Sequence, residues 1–221
     1  MPQHSQVEIE RKYDVDETTA PPLLVGVGAV ATQTEPETAE LVATYFDTAD
    51  LTLAHARIAV RVRRGGADQG WHVKLPAEEG RTELHWPLTD GDDVPEELIA
   101  SVAAVVPDAR IASVAAVVPD ARIAEAELVP VARVTNRRVT VVLQDAAGFD
   151  LAEFCDDHVT SENLRSGGTQ SWREWEVELL SGAPDTRSGR TALLDEIEER
   201  VLAAGAVVSA SSSKLQRALG L

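Results

Sequence analysis

The sequence predicts an α+β fold that is mostly antiparallel β, with a sheet that curls or closes on itself. Two observations lead there. Short segments with apolar side chains at every second position recur along the chain, as in strands with one buried face. Turn signals, among them Gly65-Gly66, Asp90-Gly91 and Gly167-Gly168, separate these segments, and helical patterns are fewer. Many short strands at such spacing are typical of a curled or closed antiparallel sheet.

Eight segments have the alternation expected of strands. In the first, Val7 and Ile9 share one face while Glu8, Glu10 and Lys12 share the other. The eight segments are residues 7–12, 41–46, 57–63, 71–75, 81–85, 131–143, 151–157 and 172–180.

Three helices are predicted around these strands. Residues 190–204 place apolar side chains at helical spacing, and Gly205 follows as a stop signal. A weaker pattern covers residues 96–106, directly after Pro95, and a short helix is expected at residues 213–219.

A twelve-residue segment is repeated without change. Residues 99–110 read IASVAAVVPDAR, and residues 111–122 repeat them. Two copies are too few for a solenoid, and the prolines of both copies oppose one continuous helix. We therefore predict a single domain over residues 1–221, with residues 99–122 as an insertion of helical turn or loop outside the sheet and without a chemical role.

Composition excludes several classes of function. With 20 Lys and Arg against 37 Asp and Glu, the net charge of −17 opposes general binding to DNA or anionic membranes. A lone cysteine, Cys155, excludes internal disulfides and multi-thiolate zinc sites. The sequence has no apolar run long enough to span a membrane and no visible secretory signal, so we expect a cytoplasmic protein.

The charged faces of the strands differ in sign. One strand presents Glu174, Glu176 and Glu178, whereas another presents Arg61 and Arg63. A solvated outer face explains each strand taken alone. If the faces instead turn inward together, the interior holds opposed carboxylates and cations with water and ions. Such an interior suits polyphosphate chemistry, since Arg and Lys bind phosphate oxygens and carboxylates hold Mg²⁺ or Mn²⁺.

These residues resemble the CYTH superfamily, the triphosphate tunnel metalloenzymes. Glu8-Ile9-Glu10-Arg11-Lys12 is similar to the family's ExExK signature. Further matches follow in the family's order: YFDTADLTL (45–53), Arg61-x-Arg63, WHVKLP (71–76), RTE (81–83), NRR (136–138), EWEVEL (174–179) and SSSKL (211–215). The resemblance implies an eight-stranded closed tunnel barrel with flanking helices.

The resemblance also implies roles for individual residues. Two positions have alternatives: Asp157 is the alternative to Glu153 as the acidic residue of its strand, and Arg138 is the alternative to Arg137 as the arginine of its strand. The implied catalytic residues are Lys12, Lys74, Glu83 and Glu153; the implied substrate ligands are Lys12, Arg61, Arg63, Lys74, Arg137 and Lys214; and the implied ligands of Mg²⁺ or Mn²⁺ are Glu8, Glu10, Glu176 and Glu178.

The implied function is metal-dependent hydrolysis of inorganic triphosphate to pyrophosphate and phosphate. Thiamine or nucleoside triphosphatases and adenylate cyclases are alternatives that use the same tunnel. A polyphosphate-binding module with little turnover is an alternative of another class. The chain resembles the CYTH part of CYTH-CHAD proteins, which makes a CHAD domain or a second copy of the chain a candidate partner beside a triphosphate or polyphosphate substrate.

Overall fold

The computed structural model describes residues 4–89, 94–105 and 128–221, and these form eleven strands and four helices. The strands are β1 (His4–Glu8), β2 (Glu10–Val15), β3 (Thr32–Gln33), β4 (Glu37–Asp47), β5 (Ala59–Arg64), β6 (Gly70–Pro76), β7 (Arg81–Trp86), β8 (Val129–Gln144), β9 (Asp150–Asn163), β10 (Thr169–Leu179) and β11 (Val207–Val208). The helices are α1 (Thr52–His55), α2 (Glu96–Val105), α3 (Arg187–Ala203) and α4 (Lys214–Leu219).

All the strands belong to one antiparallel sheet. Its order is β1-β7-β6-β5-β4-β8-β9-β10-β2-β11, with β3 paired to β8. The strand β1 is the first of this path and β2 is the last but one, although only Ile9 separates them in the chain. The carbonyl of Ile9 also accepts a hydrogen bond from the amide of Leu179, at 2.9 Å. The sheet is therefore curled, because neighbouring residues of one segment reach both of its ends.

The prediction of a curled, mostly antiparallel sheet with flanking helices is confirmed. Eight strands remain when β1 and β2 are counted as one interrupted strand and the two-residue strands β3 and β11 are set aside. Closure into a barrel stays a prediction, since the pairings form a path with two ends. Residues 99–105 of the repeated segment lie in α2, whereas residues 106–122 lie outside the described residues, so the predicted insertion also stays untested.

Apolar clusters cover the outer face of the sheet. On β5 to β7, Val60 and Trp71 are fully buried against Leu98 and Val102 of α2. A second cluster packs α3 against β2, β9 and β10. Side chains alternate between the two faces of a strand. Because the apolar side chains pack under the helices on the outer face, the charged side chains between them lie on the inner face.

Helix α4 packs differently from α2 and α3. Its apolar side chains, Leu215 and Ala218, join a cluster that includes Tyr45 of β4 and Val134 of β8. Ser213 caps the first turn by accepting a hydrogen bond from the amide of Gln216, at 3.1 Å. Packing on these strands fixes the position of the first helical residue, Lys214.

Among the described residues, no helix has both the length and the apolar character that a membrane span requires.

A buried arginine fastens the segment after β2 to β10. Arg173 is 6% exposed, and its guanidinium group donates to both carboxylate oxygens of Asp156, at 2.8 and 2.7 Å. The same group donates to the carbonyl oxygens of Asp16, Glu17 and Thr19. These contacts join distant parts of the chain around a buried ion pair. We therefore expect the stability of the fold to depend strongly on Arg173.

We predict that Arg173→Met lowers the free energy of unfolding by about 3–5 kcal/mol, because it leaves the buried Asp156 carboxylate without its partner. Urea denaturation measures the change. The control is Arg133→Met, which removes an exposed guanidinium group 4.0 Å from Glu162 and is expected to change stability by less than about 0.5 kcal/mol. Equal unfolding midpoints for the two variants would contradict the prediction.

Candidate active site

The inner face of the sheet lines a cavity of about 530 Å³, which we call the central cavity. Seven cations and eight carboxylates line it, a near balance of charge in a chain whose net charge is −17. The cations are Lys12, Arg61, Arg63, Lys74, Arg81, Arg138 and Lys214, and the carboxylates are those of Glu8, Glu10, Glu37, Asp68, Glu83, Glu153, Glu176 and Glu178.

One group of charges surrounds Lys214. Its ammonium nitrogen lies 2.8 Å from Asp157, 2.6 Å from Glu174 and 2.7 Å from Glu176. Arg138 donates to both oxygens of Asp157, at 2.7 and 2.6 Å, and to Glu176 at 2.5 Å. Lys12 also donates to Glu176. The strand register brings these charges together. Lys12 lies opposite Glu176 across β2 and β10, and Arg138 lies opposite Asp157 across β8 and β9.

These contacts keep the carboxylates ionised. Burial alone would raise the pKa of Glu176, but the charges of Lys12, Lys214 and Arg138 lower that pKa well below its usual value. Asp157 is fully buried, and Lys214 and Arg138 outweigh the effect of burial and lower its pKa to about 2. Both groups are therefore carboxylates at neutral pH.

A second group of charges surrounds Glu83 on β7. Its carboxylate lies 3.5 Å from Arg61 and 3.8 Å from Lys74, and Nδ1 of His72 is 3.0 Å away. Lys74 in turn donates to Glu8 at 2.5 Å. Burial opposes ionisation of Glu83, yet the hydrogen bond with His72 and the charge of Lys74 lower its pKa below the usual value.

Burial has the opposite net effect on two other carboxyl groups of the cavity, those of Glu8 and Glu178, whose pKa values are raised. Burial raises the pKa of Glu8 to about 8, although Lys74 opposes the shift. Burial also raises the pKa of Glu178 to about 7, and the neighbouring carboxylates of Glu10, Glu176 and Glu153 add to the effect. A hard divalent cation prefers such carboxyl oxygens as ligands, and its charge would favour the ionised form of both groups.

One compact group of carboxylates also has the spacing of a metal site. Oxygens of Asp157, Glu174 and Glu176 lie within 4.8 Å of one another and are able to hold a metal ion. The ammonium group of Lys214 contacts all three, and it supplies the balancing positive charge in this structure. Of the four predicted metal ligands, this group contains Glu176 alone.

The structure brings most of the predicted site residues into the central cavity. Lys12, Arg61, Arg63, Lys74 and Lys214 all line it. So do the carboxylates predicted for metal binding and catalysis, namely Glu8, Glu10, Glu83, Glu153, Glu176 and Glu178.

Arg137 is the exception, and its predicted position is wrong. It is exposed, whereas Arg138 lines the cavity. On β8 the residues that face the cavity are Val134, Asn136, Arg138 and Thr140, so alternation turns Arg137 outward.

The two alternatives on β9, Asp157 and Glu153, have different environments. Asp157 is enclosed by Arg138 and Lys214, while Glu153 is half-buried in the cavity wall and accepts a hydrogen bond from Sγ of Cys155 at 3.1 Å. Asp157 is thus committed to ion pairs, and Glu153 keeps a side open to the cavity.

The turn between β5 and β6 makes two contacts that the sequence did not predict. Asp68 of this turn pairs through its carboxylate with Arg63, and its carbonyl oxygen lies 2.9 Å from Nε2 of His72. The Gly65-Gly66 pair signalled the turn, and both glycines have positive φ angles. No sequence pattern indicated that the turn would fold back onto the inner face.

One matched motif has a structural role. Asp47 in the YFDTADLTL segment is fully buried, and its carboxylate accepts hydrogen bonds from the amides of Thr48, Leu53 and Ala54 at 2.7, 2.9 and 2.8 Å. It therefore fixes the turn into α1 and contributes nothing to the lining of the cavity.

The structure thus combines one curled antiparallel sheet with a cavity on its inner face that is lined by cations and carboxylates. The family model for the CYTH domain matches residues 6–202, and the chain belongs to the CYTH family. Two curated relatives, the uncharacterized proteins MT2285 and Rv2226 of Mycobacterium tuberculosis, are each 40% identical to it over 97% of the chain. The chain spans 40% of the length of these relatives.

Solved structures share the fold. A Bacillus halodurans protein with a provisional adenylate cyclase assignment has a TM-score of 0.57 at 21% identity, covering 96% of this chain and 97% of that one. The PH1819 protein of Pyrococcus horikoshii has a TM-score of 0.54 at 14% identity, covering 96% and 98%.

We predict that Lys214→Met lowers stability at neutral pH by about 3 kcal/mol, since Asp157 and Glu176 lose a buried partner. Their pKa values are depressed in the folded protein, so the stability that they contribute is present above their unfolded values and is lost as the pH falls through the folded ones. The deficit of the variant should therefore shrink between about pH 5 and pH 2.

Urea denaturation across this pH range measures the deficit. Arg187→Met, which alters an exposed residue at the start of α3, is the control and should show almost no deficit at any pH. A deficit that stays constant down to pH 2 would contradict the assigned ion pairs.

Proposed function

We propose that the protein is a metal-dependent hydrolase that cleaves inorganic triphosphate to pyrophosphate and phosphate in the central cavity. CYTH proteins typically act on triphosphates. The observation that carries the proposal for this chain is the meeting of seven cations and eight carboxylates around one cavity. Cations alone would suit a simple anion site, whereas the added carboxylates suit a phosphate chain bound together with a divalent cation.

The cations of the cavity support phosphate binding. Arg61, Arg63 and Arg138 all line the cavity. Guanidinium groups bind phosphate oxygens through charge-assisted hydrogen bonds. We therefore assign Arg61, Arg63 and Arg138 to the oxygens of the substrate, together with Lys12, Lys74 and Lys214.

The metal ligands that we propose are Glu8, Glu10, Glu176 and Glu178. Their carboxyl groups are buried or half-buried oxygen donors, and burial raises the pKa values of Glu8 and Glu178, a shift that a bound divalent cation would oppose. Mg²⁺ or Mn²⁺ bound there would supply charge neutralisation to the phosphate chain and lower the pKa of a water molecule.

The protein side chains then have defined tasks in the cleavage. A water oxygen forms a bond to a terminal phosphorus, the bridging P–O bond breaks, and pyrophosphate leaves. Glu83 or Glu153 accepts the proton of the water, since Glu83 is ionised and Glu153 faces the cavity. Lys12 and Lys74 stabilise the charge that develops on the transferred and leaving oxygens. Closure of the sheet around the cavity, which we also propose, would strengthen these interactions by excluding bulk water.

A substrate and metal panel tests the proposal. We expect phosphate release from inorganic triphosphate with Mg²⁺ or Mn²⁺ and none with a chelator. ATP, thiamine triphosphate and long-chain polyphosphate are assayed beside it, with cyclic AMP as a second product to detect. Tight binding of polyphosphate without any release would favour the binding module instead, and cyclic AMP as the main product would favour a cyclase.

In the same assay, Lys74→Ala and Glu10→Gln should each lower kcat by about 100-fold, as loss of a preorganised contact to developing charge typically does. Arg165→Met is the control, because Arg165 is exposed and outside the central cavity. Wild-type rates in both cavity variants would refute the proposed site.

Neighbouring arginines on β8 give a second, matched test. Arg138→Lys keeps the charge but loses the planar fork, so we expect kcat/KM for inorganic triphosphate to fall by about tenfold or more. Arg137→Lys makes the same change on the opposite face and should stay within about twofold of wild type. Thermal unfolding of both variants checks that neither loss reflects misfolding. The opposite ranking of the two variants would return Arg137 to the site.

A further inference from the structure

His72 is a buried histidine beside the central cavity to which the proposed cleavage assigns no task. It lies on β6, two residues before Lys74 and therefore on the same face of the strand. The residue is 1% exposed and lies outside the described lining of the cavity. A group in this place acts on a bound substrate only through another side chain.

Two acceptor oxygens flank the imidazole ring. Its Nδ1 lies 3.0 Å from Oε1 of Glu83, and its Nε2 lies 2.9 Å from the carbonyl oxygen of Asp68. Burial, together with the charges of Arg61 and Arg63, lowers the pKa of the imidazole to about 3, although its hydrogen bond with Glu83 opposes the shift. A neutral ring has a single N–H, and a carboxylate is a stronger acceptor than a carbonyl group. The proton therefore belongs on Nδ1, which donates it to Glu83.

Of the groups that approach Oε1 of Glu83, His72 is the nearest. Arg61 and Lys74 face the same oxygen from 3.5 and 3.8 Å. His72 and Glu83 also stand on adjacent, paired strands, β6 and β7, so the backbone holds both partners in place. The imidazole thus fixes this carboxylate more closely than either cation does.

The turn between β5 and β6 confines the ring from its other side. Gly66, Ala67 and Asp68 of this turn line the cavity, and the carboxylate of Asp68 pairs with Arg63. With the Asp68 carbonyl oxygen 2.9 Å from Nε2, the ring has no room to move away from Glu83 in that direction. His72 is therefore held between the turn and the carboxylate.

We propose that His72 is a positioning residue, which holds the Glu83 carboxylate in the orientation that the cleavage of triphosphate requires. The inference rests on the proposed function and adds a support for one of its groups. Without the N–H of His72, Glu83 is free to turn toward Arg61 or Lys74. The ligands of the phosphate chain stay in place, so the loss should appear in kcat and not in KM.

Two amide substitutions test the two sides of the ring separately. The amide nitrogen of Asn reaches the place of Nδ1, and that of Gln reaches the place of Nε2. His72→Asn therefore keeps a donor for Glu83, whereas His72→Gln keeps a donor for the Asp68 carbonyl only. With inorganic triphosphate and Mg²⁺, we expect kcat to fall by about tenfold or more in His72→Gln and to stay within about threefold in His72→Asn, with KM within about twofold in both.

The control is His55→Asn, which makes the same change at an exposed histidine outside the cavity and should leave kcat unchanged. Thermal unfolding of every variant is measured beside kcat, because a purely structural role would lower kcat in step with stability. Equal losses of kcat in His72→Asn and His72→Gln, or a loss confined to KM, would overturn the inference.

The ring proton offers a measurement that needs no turnover. A long-range proton–nitrogen correlation spectrum of the protein with isotope-labelled histidine shows which ring nitrogens are protonated, and His72→Asn identifies the signals of His72. We expect a proton on Nδ1 at neutral pH, and a ring protonated at Nε2 alone would overturn the inference. If wild type cleaves no triphosphate with any metal, the proposed function fails, and the spectrum then decides whether His72 holds Glu83.

Discussion

Opposite charges that face each other inside a curled sheet are the constraint on which this structure depends. Glu176 shows the principle, because Lys12, Arg138 and Lys214 come from three separate elements and all meet its carboxylate. A charge removed from water is costly unless paired, so each of these elements must occupy its position for the others to be tolerated. The ion pairs of the central cavity therefore tie β2, β8, β9, β10 and α4 together.

Alternation along the strands makes this arrangement possible within one sheet. Trp175 and Val177 are fully buried on the outer face of β10, while Glu174 and Glu176 between and beside them belong to the inner face. The helices α2 and α3 cover the outer side, and α4 packs on the inner side to deliver Lys214. The apolar residues of each strand pack against the helices and stabilise the sheet. The charged residues that alternate with them in the sequence form the inner face.

Much of the fold and of the site followed from the sequence, because apolar and charged residues alternate clearly on β2, β5, β6 and β10. Arg137 was misplaced where that signal is weak, since adjacent arginines on β8 offer either phase and only the register with β9 selects Arg138. Asp68 and His72 meet through a loop, whose path no periodicity specifies. The roles of Asp157 and Glu153 depend on which cations reach each carboxylate, and this is set by packing between elements far apart in the chain.

The interruption at Ile9 has a consequence for how the molecule acquires its structure. The strand β2 finds its partner in β10, so Lys12 and Glu176 must meet across 164 positions of sequence. Closing so long a loop is entropically costly, and topologies rich in such distant contacts fold slowly. During synthesis, β2 leaves the ribosome well before β10 exists, so Glu10 and Lys12 remain without their β10 partners until β10 emerges. High local charge at this point is an asset, because it keeps a waiting strand from pairing with the wrong edge.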